Sequence, residues 1–226
     1  MIVSVLLGMS VFGESPAKDL AGYKITIDPG HPSENGSGTK GKTLKEIEVC
    51  WDMALRTSKL LKLRGAQVKL TKSRLDEVVT NQKRAEIGNA FGSDLVIRLH
   101  CDAASERGFA TYYPSVAGTV RGVKGPSKEV LSQSKKYAAV FHTALAKGLD
   151  GELRNRGLKT EASTYVGSKQ GALTGSIFST KPVLLVEMVV LTKKEDEAWM
   201  AKDGNREVYA QALASAVEAV FKKYPK

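Results

Sequence analysis

A chain of 226 residues with 42% hydrophobic and 26% charged side chains has enough apolar material for one sizeable core and is too apolar for a disordered polymer, and no break in composition argues for a second domain. Its formal charge of +10 supports attraction to an anionic partner, whether nucleic acid, anionic lipid or an anionic cell-wall glycan. The lysines are spread along the chain, with no basic run interleaved with aromatics and no RNA-binding or helix-turn-helix signature, which disfavours nucleic acid.

The first stretch, MIVSVLLGMSVFGESPA, is apolar from Ile2 to Gly13 and carries no charge before Glu14. It is too short to span a bilayer but has the apolar region of a secretory signal, with Val11 and Gly13 near a possible cut and without the basic leader that normally precedes it. Residues 1–20 are therefore read as a signal-like or ordinary N-terminal segment, and 21–226 as the functional domain. Next comes ITIDPGH, Ile25 to His31, in which an alternating strand is stopped by Asp28-Pro29-Gly30 and an imidazole follows at once.

Pro32 to Lys42 is rich in Gly, Ser and Lys and reads as a lip with no regular element. Thr43 with Glu46 resembles a capping box opening a helix to about Arg64, with Ile47, Trp51, Ala54, Leu55 and Leu61 toward a sheet and Gly65 as its stop. Gln67 to Thr71 predicts a strand and Asp76 to Phe91 a helix. Asp94 to Leu99 predicts another strand, with His100 at its exit just as His31 leaves the first. Gly108 to Tyr113 adds a strand, Val116 to Lys128 a loop, and Ser127 to Leu149 a long amphipathic helix. Gly151 to Lys181 is glycine-broken and predicts short strands and a loop. Val183 to Val190 is the continuous apolar run of a central parallel strand, and a helix from Arg206 to Phe221 closes the chain. Alternating strands and helices imply a single-domain α/β fold with a mainly parallel sheet and a site at the strand carboxyl ends.

Only three histidines occur in the chain. If the first and third strands are parallel neighbours, His31 and His100 arrive at one edge, the geometry of a metal site; each alone would read as a hydrogen-bonded strand cap. His142 lies mid-helix beside Phe141 and reads as structural and partly exposed. Glu46 is either a capping-box residue or a third ligand. Glu187 interrupts an apolar run, where a carboxylate is costly unless paired or bound. Two imidazoles, one ligand carboxylate and one free carboxylate would make a hydrolytic zinc site. Cys50 and Cys101 fit either one disulfide or two buried thiols.

Taken in order, IDPGH (Ile27 to His31), Glu46 in KEIEV, VKLTK (Val68 to Lys72), Arg84 ahead of Gly88-Asn89, RLHCD (Arg98 to Asp102) and PVLLVE (Pro182 to Glu187) resemble the zinc-dependent N-acetylmuramoyl-L-alanine amidases of the amidase 3 family. The resemblance runs from about Lys24 to Tyr224. It implies that His31, Glu46 and His100 ligate Zn2+, that Glu187 is the catalytic glutamate, and that the substrate is the amide between N-acetylmuramic acid and L-alanine in peptidoglycan. With the signal-like N-terminal stretch, the expectation is a secreted, periplasmic or wall-located monomer with no stable membrane insertion. Pro32 stands where the family has glycine, Arg98 and Asp102 where it has serine and asparagine, and MVVLTK follows Glu187 in place of glycine, an aromatic and asparagine. Glu48 is a rival to Glu46 as ligand. The short Val116 to Lys128 connection lacks room for the autoinhibitory helix of some members. The alternatives are a non-catalytic wall-binding module on the same fold and a zinc peptidase acting on stem peptides.

Overall fold

The structure is a computed structural model and describes residues 19–226, so nearly all of the signal-like stretch lies outside the described residues. In chain order the elements are β1 (Lys24–Pro29), α1 (Glu46–Leu63), β2 (Gln67–Leu70), α2 (Asn81–Phe91), β3 (Leu95–Asp102), β4 (Phe109–Tyr113), β5 (Gly118–Val120), β6 (Val123–Gly125), α3 (Lys128–Leu149), β7 (Asn155–Thr160), α4 (Tyr165–Gln170), α5 (Thr174–Ile177), β8 (Val183–Val190), α6 (Lys194–Met200) and α7 (Asp203–Lys223). Six strands form one sheet in the order β2-β1-β3-β8-β4-β7. β2, β1, β3 and β8 run parallel, β4 is antiparallel to β8, and β7 runs parallel to β4. The mainly parallel sheet read from the sequence is thus observed, with the apolar run of β8 in its centre.

Alternation along the strands separates two faces. Ile25, Ile27, Leu95, Ile97, Leu99, Leu184, Val186 and Met188 share a core with Met53 and Leu61 of α1, Phe141 and Leu145 of α3, and Leu213 and Val217 of α7. Each such side chain gains about 1.5–3 kcal/mol on burial, so a one-residue slip of β3 or β8 would forfeit several at once and the register is fixed. That register sets Asp28 opposite Arg98 and His100 opposite Glu187. All four are therefore presented on the other face, beneath α2 and the short helix α5.

At the centre of that face Asp28 is buried and shared by two guanidiniums, Arg84 Nη1 at 2.6 Å and Arg98 Nε at 3.1 Å, with Thr71 Oγ1 donating a third bond. Burial alone would raise its pKa, but Arg84 and Arg98 outweigh it and hold the carboxyl far below the usual range. A depressed folded-state pKa contributes stability above the unfolded value and loses it as pH falls through the folded one. Asp28→Asn is therefore expected to cost about 3–5 kcal/mol at neutral pH, because it strands two buried cations, and to flatten the acid limb of the stability profile in urea melts.

Several local expectations change. The stripe of α1 that packs inward is Val49, Cys50, Met53, Ala54 and Leu61, while Leu55 is 45% exposed. α2 begins at Asn81 and not at Asp76, because Thr80 accepts a bond from Lys83 N at 3.2 Å and is the true N-cap. The segment from Val116 to Lys128 is not a plain loop: β5 and β6 make a hairpin closed by Arg121 and Gly122, both with positive φ (51° and 77°). That is the primed-turn geometry, normally signalled by Asn-Gly or Asp-Gly. Between Gly151 and Lys181 one strand is followed by short helices and not by further strands.

Candidate metal centre and reaction pocket

The turn after β1 places His31 in the left-handed region, φ 55°, a conformation costing a non-glycine residue about 1–2 kcal/mol. Its imidazole is then fixed from behind. Nδ1–H donates to Gly36 O at 2.9 Å, which leaves Nε2 as the lone-pair nitrogen, 3.5 Å from Glu46 Oε1. His100 lies within the last residues of β3, slightly earlier than a strict strand exit, and its Nδ1 is 3.0 Å from the same Glu46 oxygen. Burial lowers the His100 pKa and favours the neutral ring.

Glu46 is the first residue of α1, behind an N-cap, Lys45, that makes no side-chain cap. The capping box is absent. Thr43 turns away and donates through both its backbone N and Oγ1 to Glu197 Oε1, at 2.6 and 3.0 Å. Released from capping, Glu46 points across the top of the sheet, where Oε2 accepts from Thr39 N at 2.7 Å and Oε1 from Cys101 N at 3.0 Å. Burial acts against its charge, but His100, His31 and the Thr39 amide prevail and the pKa is lowered. A side chain at residue 38 would destroy this arrangement, since a Cβ on Gly38 (φ +83°) would lie 2.5 Å from Glu46 Oε2 and 2.7 Å from His31 Cδ2.

His31, Glu46 and His100 each offer one donor atom, and these lie within 4.8 Å of one another. Ligands about 2.0–2.1 Å from a tetrahedral zinc sit roughly 3.3 Å apart, close to the 3.5 and 3.0 Å separations here, and neutral imidazole with carboxylate is a donor set zinc accepts. The residues fit the metal. Glu187 stands beside them, opposite His100 on the neighbouring strand, and both His100 Nε2 and Glu187 Oε2 are buried with no hydrogen-bond partner among the described residues. Burial first, then the nearby Asp102 and Glu46 carboxylates, pushes the Glu187 pKa well above its ordinary value.

His31, His100 and Glu187 open into a pocket of about 260 Å³. One wall is the lip, through Ser33 and Asn35; the other is the β7–β8 connection, through Thr164, Tyr165 and Leu173. Asn81, Arg84, Arg98 and Leu185 also line it. Of these lining residues only Arg84, as part of a family motif, and Arg98, as a departure from one, stand out in the sequence, because the set meets only when α2 and α5 fold over the sheet.

The remaining candidates fall outside. Glu48 pairs with Lys45 at 3.0 Å on the outer side of α1. Glu48→Gln is accordingly expected to retain metal stoichiometry and turnover within about twofold, since an exposed pair contributes little; loss of metal in that variant would reverse its assignment against Glu46. His142 is buried and not partly exposed: Nδ1 meets Thr111 Oγ1 at 3.0 Å on the core face, away from the pocket. Cys50 and Cys101 are free and buried, and burial raises both thiol pKa values, which keeps them protonated and poor metal ligands.

Comparison with known proteins points the same way. A family model described as N-acetylmuramoyl-L-alanine amidase, Amidase_3, matches residues 25–219. The N-acetylmuramoyl-L-alanine amidase LytC of Bacillus subtilis (strain 168) is 28% identical over 206 residues, covering 90% of this chain and 36% of its own length. A sporulation-specific N-acetylmuramoyl-L-alanine amidase of the same organism is 28% identical over 88% of this chain and 68% of its own. The chain thus spans about a third of the first relative and two thirds of the second. Among solved structures, the amidase Ami1 of Mycobacterium smegmatis superposes with a TM-score of 0.73 at 20% identity, covering 90% of this chain and 99% of that one, which shows a shared fold.

Proposed function

Because the chain belongs to the Amidase_3 family of N-acetylmuramoyl-L-alanine amidases, we propose that it hydrolyses the amide between N-acetylmuramic acid and L-alanine in peptidoglycan, with zinc held by His31, Glu46 and His100. One observation carries this reading: two imidazole nitrogens converge on one carboxylate oxygen beside a second, unpartnered buried carboxylate. When bound there, zinc supplies Lewis-acid polarisation of the amide carbonyl and lowers the pKa of water from about 15.7 to about 7.

The protein's own groups do the rest. His31 is held in one tautomer by Gly36 O, and Glu46 is kept anionic and aimed by two backbone N–H groups, so the holding atoms are arranged before any ion arrives. Glu187 Oε2, with no donor to satisfy it among the described residues, accepts a proton from the attacking water and returns it to the leaving alanine nitrogen. Leu173 and Leu185 give the pocket an apolar side that suits the alanine methyl group and excludes bulk water. A surplus of ten positive charges suits a wall rich in carboxylates and phosphates, and such a substrate places the protein outside the cytoplasm. No helix among the described residues is long and apolar enough to cross a membrane.

Product masses from digested peptidoglycan test the reading. Release of intact stem peptides with a new alanine amino terminus is expected. Peptides shortened elsewhere would indicate a stem-peptide peptidase, and sedimentation with the wall without any new amino terminus would indicate a binding module.

A further inference from the structure

We propose that Arg98 and Asn81 form a carboxylate-binding subsite in the floor of the reaction pocket, which selects peptide arms carrying a free carboxylate close to the scissile amide. The proposal rests on the amidase reading and deepens it to a substrate class.

The two guanidiniums on the pocket face are bonded unequally. Arg84 and Arg98 share one carboxylate, Asp28, and Arg84 alone would neutralise it at 2.6 Å. Every nitrogen of the Arg84 fork is already engaged, Nε by Val79 O, Nη1 by Asp28 and Pro29 O, and Nη2 by Pro32 O. Arg84 is thus a structural tie between β1, the lip and α2.

Arg98 is different. Its Nε donates to Asp28 and its Nη2 to Asn81 Oδ1 at 2.6 Å, while Nη1 has no hydrogen-bond partner among the described residues. Two other buried carboxylates feel its charge, Glu161 and Glu187, but neither hydrogen-bonds to it: Glu161 accepts from Ser176 Oγ at 2.6 Å and from Leu173 N at 2.9 Å, while Glu34 accepts from the backbone N of Asn81 at 2.8 Å. Asn81 in turn spends its side-chain oxygen on Arg98, which leaves its amide nitrogen as a donor without a partner among the described residues. Both residues line the same pocket as His31, His100 and Glu187. Arg98 and His100 are two residues apart on β3 and so stand on one face of it.

One face of the guanidinium is covered by backbone alone: a Cβ on Gly175 would come within 3.0 Å of Arg98 Cζ. The position holds an arginine flat beside the pocket, with one edge tied to Asp28 and Asn81. A buried guanidinium with an unused N–H group is costly unless an acceptor completes it, and a planar fork beside an amide donor matches a carboxylate. In a peptide arm bound with its first amide at Glu187, the group placed to answer it is a carboxylate on one of the first residues.

The test uses two soluble probes, N-acetylmuramoyl-L-alanyl-D-isoglutamate and its α-carboxamide, in which only that carboxylate is neutralised. For each, affinity is measured by calorimetry and turnover by release of the dipeptide. The zinc-loaded parent is expected to bind the acid on the order of 10- to 100-fold more tightly, mainly as a lower KM. Arg98→Gln should bring the ratio of acid to carboxamide affinity to near one, whatever its overall turnover. Gly175→Ala, which presses on the guanidinium without removing its charge or the Asp28 pair, should reduce the preference in a protein whose thermal melt reports an intact fold.

Equal affinity of the parent for acid and amide, or a preference that survives in folded Arg98→Gln, would overturn the subsite. Cleavage of both probes without preference would leave the amidase reading standing and remove this proposal. Tighter binding of the acid with cleavage of neither would do the reverse.

Discussion

Glu187→Gln is expected to bind zinc like the parent and to lose on the order of 100-fold or more in turnover. The amide is nearly isosteric with the carboxylate and less costly to bury, so β8 and its pairing with β3 should persist. What disappears is the proton acceptor. Among the described residues no donor occupies the buried Glu187 Oε2, whereas both oxygens of Glu46 are spoken for by Thr39 and Cys101 amides and by the imidazoles. A base must be ionised to act, and burial together with Asp102 and Glu46 raises the Glu187 pKa. The acid limb of kcat against pH should therefore lie above the ordinary carboxylate range and vanish in Glu187→Gln, whose residual rate should be flat through that window. A variant that lost its metal, or cleaved at the parent rate, would break the division between residues that hold the ion and the residue that moves the proton.

His100→Ala should lose both bound zinc and activity. The imidazole supplies one of only three converging donors, and removing it leaves Glu46 and His31, too few to hold a closed shell. Loss of a partner behind a ligand already costs about 10–100-fold in affinity, so loss of a ligand itself should exceed that. Leu99 and Cys101, its neighbours on β3, are buried on the opposite face and keep the strand in place, so the circular dichroism spectrum should match the parent. Undiminished metal stoichiometry in this variant would remove His100 from the set.

The parts of the site legible in the sequence were those announced by a local conflict. His31 follows a strand-stopping Asp-Pro-Gly, His100 closes an apolar strand, and Glu187 breaks an eight-residue apolar strand, and the register of β1, β3 and β8 turns these conflicts into neighbours. Where the chain used a distant partner, local pattern failed. Thr43 and Glu46 have capping-box spacing, yet Glu197, far along the chain, takes the threonine and frees the glutamate for the pocket. The predicted start of α2 at Asp76 takes in Val78, which is 67% exposed; the short polar cap Thr80 decides the true start. The tie between Asp28, Arg84 and Arg98 joins β1, α2 and β3 and carries no periodicity at all, so only the folded chain reveals it.

The measurement closest to the central claim is anomalous diffraction at the zinc edge from crystals of the zinc-loaded protein. A single strong peak is expected, about 2.0–2.1 Å from one nitrogen of His31, one of His100 and an oxygen of Glu46, with Glu187 outside bonding distance. A peak elsewhere, or one with Glu187 among its ligands, would contradict the account.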